Sequence, residues 1–586
     1  MIVPMKKVSV IVQQKDAATC VSALGLLGVF HVEHQKPPQG KDINALQEEL
    51  ATVTAVLGAL SEKRLGNNNA ALEDEKLTDW NFSAKHIIDL GKRLEHLEHF
   101  SHNLLNSIQE WQKWEDFDPA KIEALADKNI HIRLYQIPLK ELHLLPETVT
   151  VKKISVSSGI ANCAVISYGA ADIPFKETAL PKAGLSELQA RYAQDMQTIQ
   201  SLRQELYSLR KYRKEFSGVK KSLESQLEFQ QAIRGMGEAR GLSYITGYVP
   251  FDRAVQVLET AKQEKWGLVA ADPFPEDNVP TLIRNPGWIS LIKPVFQLLE
   301  VVPGYRELDI SPLFLLFLAL FFGMIIGDAG YGAVYCILTF LAQRKYRGAA
   351  KDKTVFFLFY LFSACAIGWG ILTGTVFGQR WYLEAGFNPL APALNDTKVI
   401  MAFCFFIGAL QLSLAHGWQA LTKLPSLSAL ADIGFICLLW VGFLLAKMFI
   451  LGELFPDIGK WLAAAGMILI VLFVSPQKNF LKTIGAGLGT LALGIMGNFG
   501  DVVSYIRLFA VGLAGVAVSD SVNILAGGLS GNIAAQVLIL FAGHSINIML
   551  GPMSVLVHGI RLNVLEFSLL HGNITWSGTA YKPLKA

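Results

Sequence analysis

The chain has 586 residues, too many for one ordinary domain, and a formal net charge of +3 at pH 7, too small to indicate a nucleic-acid partner. Of its 52 basic and 49 acidic residues, 72 lie in residues 1–300 and 29 in residues 301–586. Because charged side chains are costly in lipid, this contrast predicts a soluble first half and a membrane-spanning second half. The six cysteines form no C-x-x-C pair and are expected to stay reduced.

The first 300 residues are expected to lie in the cytoplasm. Their only early apolar run, Val8–Val12, is soon followed by charged residues and does not have the pattern of a signal peptide. Strand–helix–strand patterns occupy residues 1–40 and 240–275, and the two pieces could share one small sheet. Residues 118–170 are rich in Val and Ile and predict a second α/β lobe.

Long helices are predicted to join these lobes. From Leu185 to Leu227, apolar residues recur at spacings of three or four, and a matching stripe runs from Ile87 to Ile108. The pattern predicts an antiparallel coiled coil in which residues 41–113 pair with residues 182–237. A helix of about 45 residues would span roughly 65–70 Å, which is typical of a strut rather than of an enzyme.

No nucleotide, cofactor or metal site is predicted. The phosphate-binding pattern G-x-x-x-x-G-K-[ST] does not occur in the sequence. His96, His99 and His102 have helical spacing, but no cysteine or carboxylate cluster accompanies them, so they are interpreted as a solvated helix face.

The second half is predicted to be a polytopic helical membrane domain of about eight spans. The first apolar segment, residues 312–341, is interrupted by Gly327–Gly332, which contains Asp328 and three glycines, so we read it as two short spans in a hairpin. The other predicted spans are residues 355–378, 399–422, 428–451, 460–474, 500–528 and 533–571. Residues 480–498 are rich in glycine and are read as either a further span or an interfacial helix.

The distribution of basic residues predicts the orientation of these spans. With the first half inside, three basic residues lie in outer loops and ten in inner loops or at the C-terminus. The inner ones are Arg344, Lys345, Arg347, Lys351, Lys353, Lys423, Lys478, Lys482, Lys582 and Lys585, and the outer ones are Arg380, Lys398 and Lys460. This asymmetry predicts a multi-pass protein whose N-terminal half and C-terminus both face the cytoplasm.

The last two predicted helices combine unusual length with polar residues. At roughly 43 and 58 Å they exceed the bilayer core of about 30 Å, so they should tilt or project beyond it.

Ionisable residues inside a membrane usually mark function. Other readings remain open: Arg507 and Arg561 could extend to the inner interface, Glu566 could be solvated, and Asp328 could cap a turn. Asp432 and Lys447, near span ends, are expected to extend outward.

Three motifs resemble those of the V-type ATPase a subunit, called subunit I in bacteria and archaea. Ser504–Ala510 reads S-Y-I-R-L-F-A and resembles the family's S-Y-x-R-L-x-A. His558–Phe567 resembles its second motif, H-x-x-R-L-x-x-x-E, and Gly327–Gly332 resembles its first-hairpin motif. The order and spacing of the motifs and the coiled-coil first half also match, so the resemblance covers essentially the whole chain.

Two positions depart from the eukaryotic members of this family. Those members have a His eight residues after the first motif's Arg and a Glu ten residues before the second motif's Arg. Here the positions are Gly515 and Gly551. We therefore expect a different outer half-channel, with His544 and Asn547 as candidate lining residues.

The resemblance implies a non-catalytic stator subunit that carries protons or sodium ions past a rotor ring of proteolipid subunits. Residues 1–300 would be the stator domain that binds peripheral stalks, and residues 301–586 the ion-translocation domain. ATP would be hydrolysed or made in the catalytic sector, which this chain meets only indirectly. The candidate ion-translocation residues are Arg507, Arg561, Glu566, His558, Asn563, Ser504, Asp328, His544 and Asn547.

Two other functions are compatible with the sequence. A secondary transporter could use Arg507 and Arg561 to bind an anionic substrate, and it should show internal repeats with matched broken helices. A coiled-coil membrane scaffold would leave both arginines without a role.

Overall fold

The protein is described by a computed structural model that covers residues 1–61, 79–146, 149–157, 159–169, 173–239, 241–346, 353–379, 390–476, 480–529 and 531–585. Most of these residues are helical, as the predicted fold class requires. Four of the basic residues used to predict the orientation, Arg347, Lys351, Arg380 and Lys478, lie outside the described residues.

Helices and strands are numbered here in chain order. The helices are Ala17–Leu27 (α1), Lys41–Ser61 (α2), Trp80–Trp111 (α3), Pro119–Ala126 (α4), Leu185–Ser208 (α5), Arg213–Arg234 (α6), Ala254–Gln263 (α7), Lys293–Leu299 (α8), Ser311–Ile326 (α9), Ala329–Lys345 (α10), Thr354–Thr373 (α11), Thr397–Lys423 (α12), Ala429–Ala446 (α13), Asp457–Phe473 (α14), Phe480–Ser504 (α15), Ile506–Gly527 (α16) and Ile533–Ser554 (α17). The strands are Met5–Gln13 (β1), His31–Glu33 (β2), Ile130–Pro138 (β3), Thr150–Ser157 (β4), Ile160–Tyr168 (β5), Glu177–Thr178 (β6), Gly237–Ala239 (β7), Leu242–Pro250 (β8) and Gly267–Ala271 (β9).

The chain divides into two compact units. The first comprises Met1–Val10, Val29–Glu33 and Thr246–Pro583, and the second comprises Ile11–Gly28, His34–Ile245 and Leu584–Ala586. The unit that contains the apolar helices therefore also takes in residues 246–300, which the sequence had grouped with the first half.

Among its described residues, the second unit contains four long helices and a four-stranded sheet. The sheet has the order β4-β5-β3-β6, and its pairings are antiparallel. Along α3, the residues His86, Glu98 and Ser101 contact Glu205, Arg203 and Met196 of α5 in turn, so these two helices pack antiparallel. Apolar residues of α2, α3, α5 and α6 form one buried core, which includes Val56, Ile87, Leu202 and Phe216.

The first unit contains β2, β9 and most of β1 and β8, which form a sheet of order β2-β8-β1-β9 with strands from both predicted strand–helix–strand pieces. The end of the chain lies on this sheet. Tyr581 donates through its hydroxyl to the Val29 carbonyl, and the backbone N–H of Lys582 donates to His31 Nδ1 over 3.0 Å. The sheet and the residues just after the last helix are therefore on the same side of the apolar helices.

The first apolar segment is broken where the sequence predicted. Gly327 ends α9 with φ 64°, a conformation that favours glycine, and α10 then leaves at 119° to α9. Among the described residues, five helices are long and apolar enough to cross a membrane, and the bent pair of α9 and α10 would be a sixth. The figure of eight spans remains a prediction.

The predicted helix over residues 500–528 is wrong at its start. The glycine-rich segment before it is helical, so α15 runs to Ser504 and α16 begins at Ile506, with a single turn residue between them. Glycine is unfavourable in an isolated helix, but here it allows close packing. A Cβ at Gly487 would lie 2.4 Å from the Val471 carbonyl oxygen of α14. The segment therefore belongs to the helical bundle.

Candidate functional site

The break between α15 and α16 positions Arg507. At the break the backbone tightens: Tyr505 N–H donates to the Val502 carbonyl and Leu508 N–H to the Tyr505 carbonyl, both three-residue bonds. Arg507 Nε donates to the Ser504 carbonyl over 2.9 Å. The Ser504 hydroxyl donates to Gly500, so Ser504 supports Arg507 through its backbone.

Arg507 forms an ion pair with the last helical segment. Its Nη2 donates to Glu566 Oε1 over 2.7 Å, and 23% of the arginine side chain is exposed. The Glu566 carboxylate is buried, and its second oxygen accepts no hydrogen bond from a described residue. Glu566 is thus not solvated, and the pair leaves a buried carboxylate oxygen beside a permanent positive charge.

The shape of the last helix brings Arg561 to the same carboxylate. After α17 the chain continues as π-helix over Val555–Gly559 and Leu562–His571. A π-helix bonds residues five apart, so positions 561 and 566 fall on one side. Arg561 Nε lies 3.8 Å from Glu566 Oε1, with 56% of its side chain exposed. Arg561 can therefore interact with Glu566 and still reach the surface.

A proline marks the start of this change in helix type. Pro552 lies inside α17 and has no N–H to donate to the carbonyl of Ile548. The Tyr335 hydroxyl, from α10, donates to that carbonyl over 2.7 Å. The freed backbone group is thereby satisfied inside the bundle, which an apolar environment requires.

Asn563 belongs to a second, separate network. Its side-chain oxygen accepts a hydrogen bond from Gln411 Nε2 over 2.9 Å, and its Nδ2 donates to the Gly559 carbonyl. The Tyr505 hydroxyl donates to Gln411 Oε1 over 2.8 Å. This buried network ties α12 to the break at Tyr505 and so fixes the segment from which Arg507 projects.

Asp432 and Lys423 begin a row of polar side chains that the sequence did not predict. Lys423 Nζ donates to both oxygens of Asp432, at 3.1 and 2.8 Å. The row continues through His416 and His571 to Asp501. The expectation that Asp432 extends outward is therefore wrong, because its buried carboxylate has a cation and an imidazole as partners.

His544 and Asn547 form a third cluster with Tyr331 and Ser519. The Asn523 Nδ2 donates to the Phe377 carbonyl, so its oxygen faces His544 and accepts from Nε2 at 3.1 Å. His544 Nδ1 then accepts from the Tyr331 hydroxyl at 2.6 Å. Asn547 Nδ2 lies 2.7 Å from the Ser519 hydroxyl and 2.9 Å from the Gly515 carbonyl. The cluster joins α10, α16 and α17.

A cavity of about 130 Å³ lies next to Asn547 and includes Gly515 and Gly551 in its lining. A Cβ at Gly551 would lie 2.8 Å from the Tyr335 hydroxyl and 2.6 Å from Ile326. A large acidic side chain at this position would therefore require the neighbouring residues to move.

Asp328 has a structural environment. Its side chain is buried and accepts hydrogen bonds from three backbone N–H groups, those of Tyr331, Phe377 and Gly378, at 3.1, 2.9 and 2.7 Å. It caps the first turn of α10, which is the alternative reading of this residue, and it also anchors the segment after α11.

The predicted site residues thus fall into separate groups. Arg507, Arg561 and Glu566 come together, with Ser504 behind them, and His544 and Asn547 come together elsewhere. His558 is half-buried on the first π-helical segment and makes no hydrogen bond to a described residue. Asn563 and Asp328 have other partners.

Sequence reasoning missed Gln411, His416, Asp501, Tyr331 and Ser519. A signal was available for two of them, because an amide and a histidine inside an apolar span are costly unless they have partners. Gln411 and His416 both lie within the predicted span 399–422.

Comparison with known proteins agrees with the family that these motifs resemble. The chain is 30% identical to subunit I of the V-type ATP synthase of Borreliella burgdorferi, over 100% of this chain and 99% of that protein. It belongs to the V/A-type ATP synthase subunit I family. Subunit I 1 of the V-type ATP synthase of Treponema pallidum is 29% identical over the full length of both chains. Subunit I of the A-type ATP synthase of Methanocaldococcus jannaschii is 24% identical over 75% of this chain and 67% of that protein.

Two further comparisons add little to this assignment. No family model matches the chain. A solved structure, the cytoplasmic N-terminal domain of subunit I, a homologue of V-ATPase subunit a, aligns with 45% of this chain and all of that chain, at 14% identity and a TM-score of 0.23. Subunit I is a membrane subunit of a rotary ATPase, in keeping with the apolar helices described above.

Proposed function

We propose that this chain is the stator subunit that carries protons or sodium ions past a rotating ring of proteolipid subunits. The observation that carries the proposal is Arg507, a permanent cation held between Ser504 and Glu566 with part of its surface open. Such a charge attracts a deprotonated ring carboxylate and lets it pass without its ion. It also repels a free cation and so blocks leakage.

The spacing of the polar clusters supports two offset half-channels. Arg507 and its partners lie at the first turn of α16, and Ser519 lies twelve residues further on, about 18 Å at the helical rise. The inner half-channel would use Arg561, Glu566, Asn563 and His558. The outer one would use His544, Asn547 and the cavity beside Gly515.

The last two helices provide a surface for the ring. Both α16 and α17 expose large apolar side chains. In the most apolar stretch of the last helix no residue is buried within the chain, whereas in the corresponding stretch of α12 half of the residues are buried. Exposed examples are Leu513, Ile524, Leu538, Phe541, Met549 and Met553. Their length and apolar surface suit contact with a curved ring of helices.

Residues 1–300, the predicted cytoplasmic part of the chain, would hold the stator in place. The antiparallel packing of α3 on α5 supports a coiled-coil rod that binds peripheral stalks and resists torque. The contact between the chain's end and the sheet supports one cytoplasmic side for both. ATP chemistry would belong to the catalytic sector, which this non-catalytic chain meets indirectly.

The secondary-transporter alternative is less well supported. It expects two matched broken helices, and among the described residues one bent pair meets that description, α9 with α10.

The proposal is tested by building the rotary complex with and without this chain in sealed vesicles. ATP should drive ion uptake only when the chain is present. Uptake of an organic anion by the chain alone, without partner subunits or ATP, would contradict the stator function and favour the transporter.

A further inference from the structure

Four ionisable side chains form a row through the bundle. His416 Nδ1 lies 3.4 Å from Asp432 Oδ1, His416 Nε2 lies 3.0 Å from His571 Nδ1, and His571 Nε2 lies 2.9 Å from Asp501 Oδ2. They come from α12, α13, α15 and the last π-helical segment. Each imidazole therefore uses both ring nitrogens, one toward a carboxylate and one toward the other imidazole.

Three members of the row are buried, and partly exposed groups lie at its two ends. Asp432, His416 and His571 are buried. At one end, Lys423 pairs with Asp432 and has 42% of its side chain exposed, and at the other, Asp501 has 20% exposed. Lys423 lies in a predicted cytoplasmic loop. Asp501 lies six residues before Arg507, on the other side of the break at Tyr505.

Counting protons shows that the row can accept one more than its two neutral imidazoles carry. Each of the three contacts needs one proton to be a hydrogen bond, because that proton lies between two nitrogens or between a nitrogen and an oxygen. The row therefore needs three protons for three hydrogen bonds. Ionised carboxylates supply none and two neutral imidazoles supply two. The third proton gives the row one positive charge, which with Lys423 balances the two carboxylates. Such balance is what a buried charged group requires.

Local packing fixes the orientation of His416. The Phe435 ring stacks on this imidazole, with 5.1 Å between centroids and 12° between planes. This stacking keeps the imidazole in line with its neighbours in the row. Among the described residues, no three His, Cys, Asp or Glu side chains converge in a way that would hold a metal ion.

We propose that Asp432, His416, His571 and Asp501 form a proton relay between the cytoplasmic surface and the ring face beside Arg507. A proton arriving at Asp432 binds one nitrogen of His416 while the opposite nitrogen releases its own to His571. His571 in turn releases a proton to Asp501. The first transfer breaks the O–H bond of Asp432 and forms an N–H bond on His416. The second breaks an N–H bond on His416 and forms one on His571, and the third breaks an N–H bond on His571 and forms an O–H bond on Asp501. Both rings then exchange tautomers before the next proton arrives.

The inference rests on the proposed function and goes further, because it makes the transported ion a proton. Gln419 provides a control: its Nε2 donates to the His571 carbonyl, but an amide does not exchange protons in this way. Lys423 would be a positioning residue that holds Asp432.

The experiment uses the complete complex in vesicles, with proton uptake followed by a pH-sensitive dye and sodium uptake by a tracer. In assembled His416→Gln and His571→Gln complexes, we expect ATP-driven proton uptake to fall at least about tenfold at pH 8. The loss should shrink toward pH 6, because water then delivers protons directly. Gln419→Leu should keep the wild-type pH profile, and free imidazole should partly restore His571→Ala.

Asp501→Asn provides a second test if the buried histidine variants do not assemble. It is nearly isosteric, partly exposed, and should show the same loss at high pH. An unchanged pH profile in assembled relay variants would overturn the inference and leave a structural polar row. Sodium uptake without proton uptake would also overturn it while leaving the rotary function intact. Failure of the proposed function would appear as a different result, namely ion transport that does not depend on Arg507.

Discussion

Arg507 on α16 and Glu566 on the last helical segment are 59 residues apart in sequence and joined by a 2.7 Å ion pair. The pair fixes the guanidinium while the second glutamate oxygen has no described partner. A passing ring carboxylate would therefore compete with Glu566 for the same cation.

Replacing Glu566 by Gln should slow transport without abolishing it. Arg507 would lose its own anion and would hold each ring carboxylate longer, so we expect ATP-driven ion uptake to fall about tenfold, equivalent to about 1.4 kcal/mol. Glu453→Gln is a matched control, because that carboxylate pairs with Lys447 and is half exposed. Uptake by assembled Glu566→Gln complexes equal to that of the control would show that the pair is dispensable.

Asp328 should be needed for assembly rather than for transport. Asp328→Ala removes the acceptor of three backbone hydrogen bonds, and we expect the chain to lose about 3 kcal/mol or more of stability. Asp328→Asn keeps one acceptor oxygen and should be less severe. Thermal unfolding of the purified chain and the yield of assembled complex measure the effect. A stable, fully assembled Asp328→Ala complex that cannot transport ions would instead place this residue in the ion path.

Cysteine labelling from outside the cell should distinguish the N-terminal end of α11 from the N-terminal end of α12. Lys353, which begins α11, is predicted to face the cytoplasm, and Lys398, at the start of α12, the outside; both are exposed. In intact cells, an impermeant thiol reagent should label Lys398→Cys and not Lys353→Cys. The wild-type chain, with its own six cysteines, gives the background. Rapid labelling at Lys353→Cys would reverse the orientation.

The sheet of the first unit should contribute stability that depends on pH. The hydrogen bond from Lys7, at 2.8 Å, lowers the pKa of Asp277 below 3.8. Burial lowers the pKa of Lys7, but the bond to Asp277 and the charge of Glu33 outweigh it, so its pKa is raised. The pair therefore stabilises the fold at neutral pH, and this contribution is lost as the pH falls through the folded pKa of Asp277 or rises through that of Lys7.

Asp277→Asn should accordingly lower the stability at pH 7 by about 1 kcal/mol or less, with the difference narrowing below pH 3.8. Chemical unfolding at several pH values provides the measurement. Asp272→Asn is the control, because its carboxylate, which pairs with Lys6, is 81% exposed. An equal loss for both variants, or a loss that persists in acid, would contradict the assignment.

Local patterns in the sequence predicted the helices and the break at Gly327, because period and composition report on near neighbours. They could not give the contact of Arg507 with Glu566 or that of His416 with His571, since these join residues 59 and 155 positions apart. Nor could they show that positions 561 and 566 share a face, because residues five apart lie on different sides of an α-helix but on the same side of a π-helix. For the glycine-rich start of α15 they left a span and an interfacial helix both open, because intrinsic preference does not report the packing of Gly487 on α14.

The central claim is tested most directly by Arg507→Ala in the assembled complex, with ATP-driven ion uptake into vesicles as the measurement and ring pull-down as the check on assembly. Without the guanidinium, ionising a ring carboxylate in a site of low dielectric constant costs several kcal/mol, so we expect uptake to be abolished. Arg507→Lys should also be poor, because an ammonium lacks the planar fork, and Arg561→Ala should reduce uptake less. Near-normal uptake by an assembled Arg507→Ala complex would contradict the account.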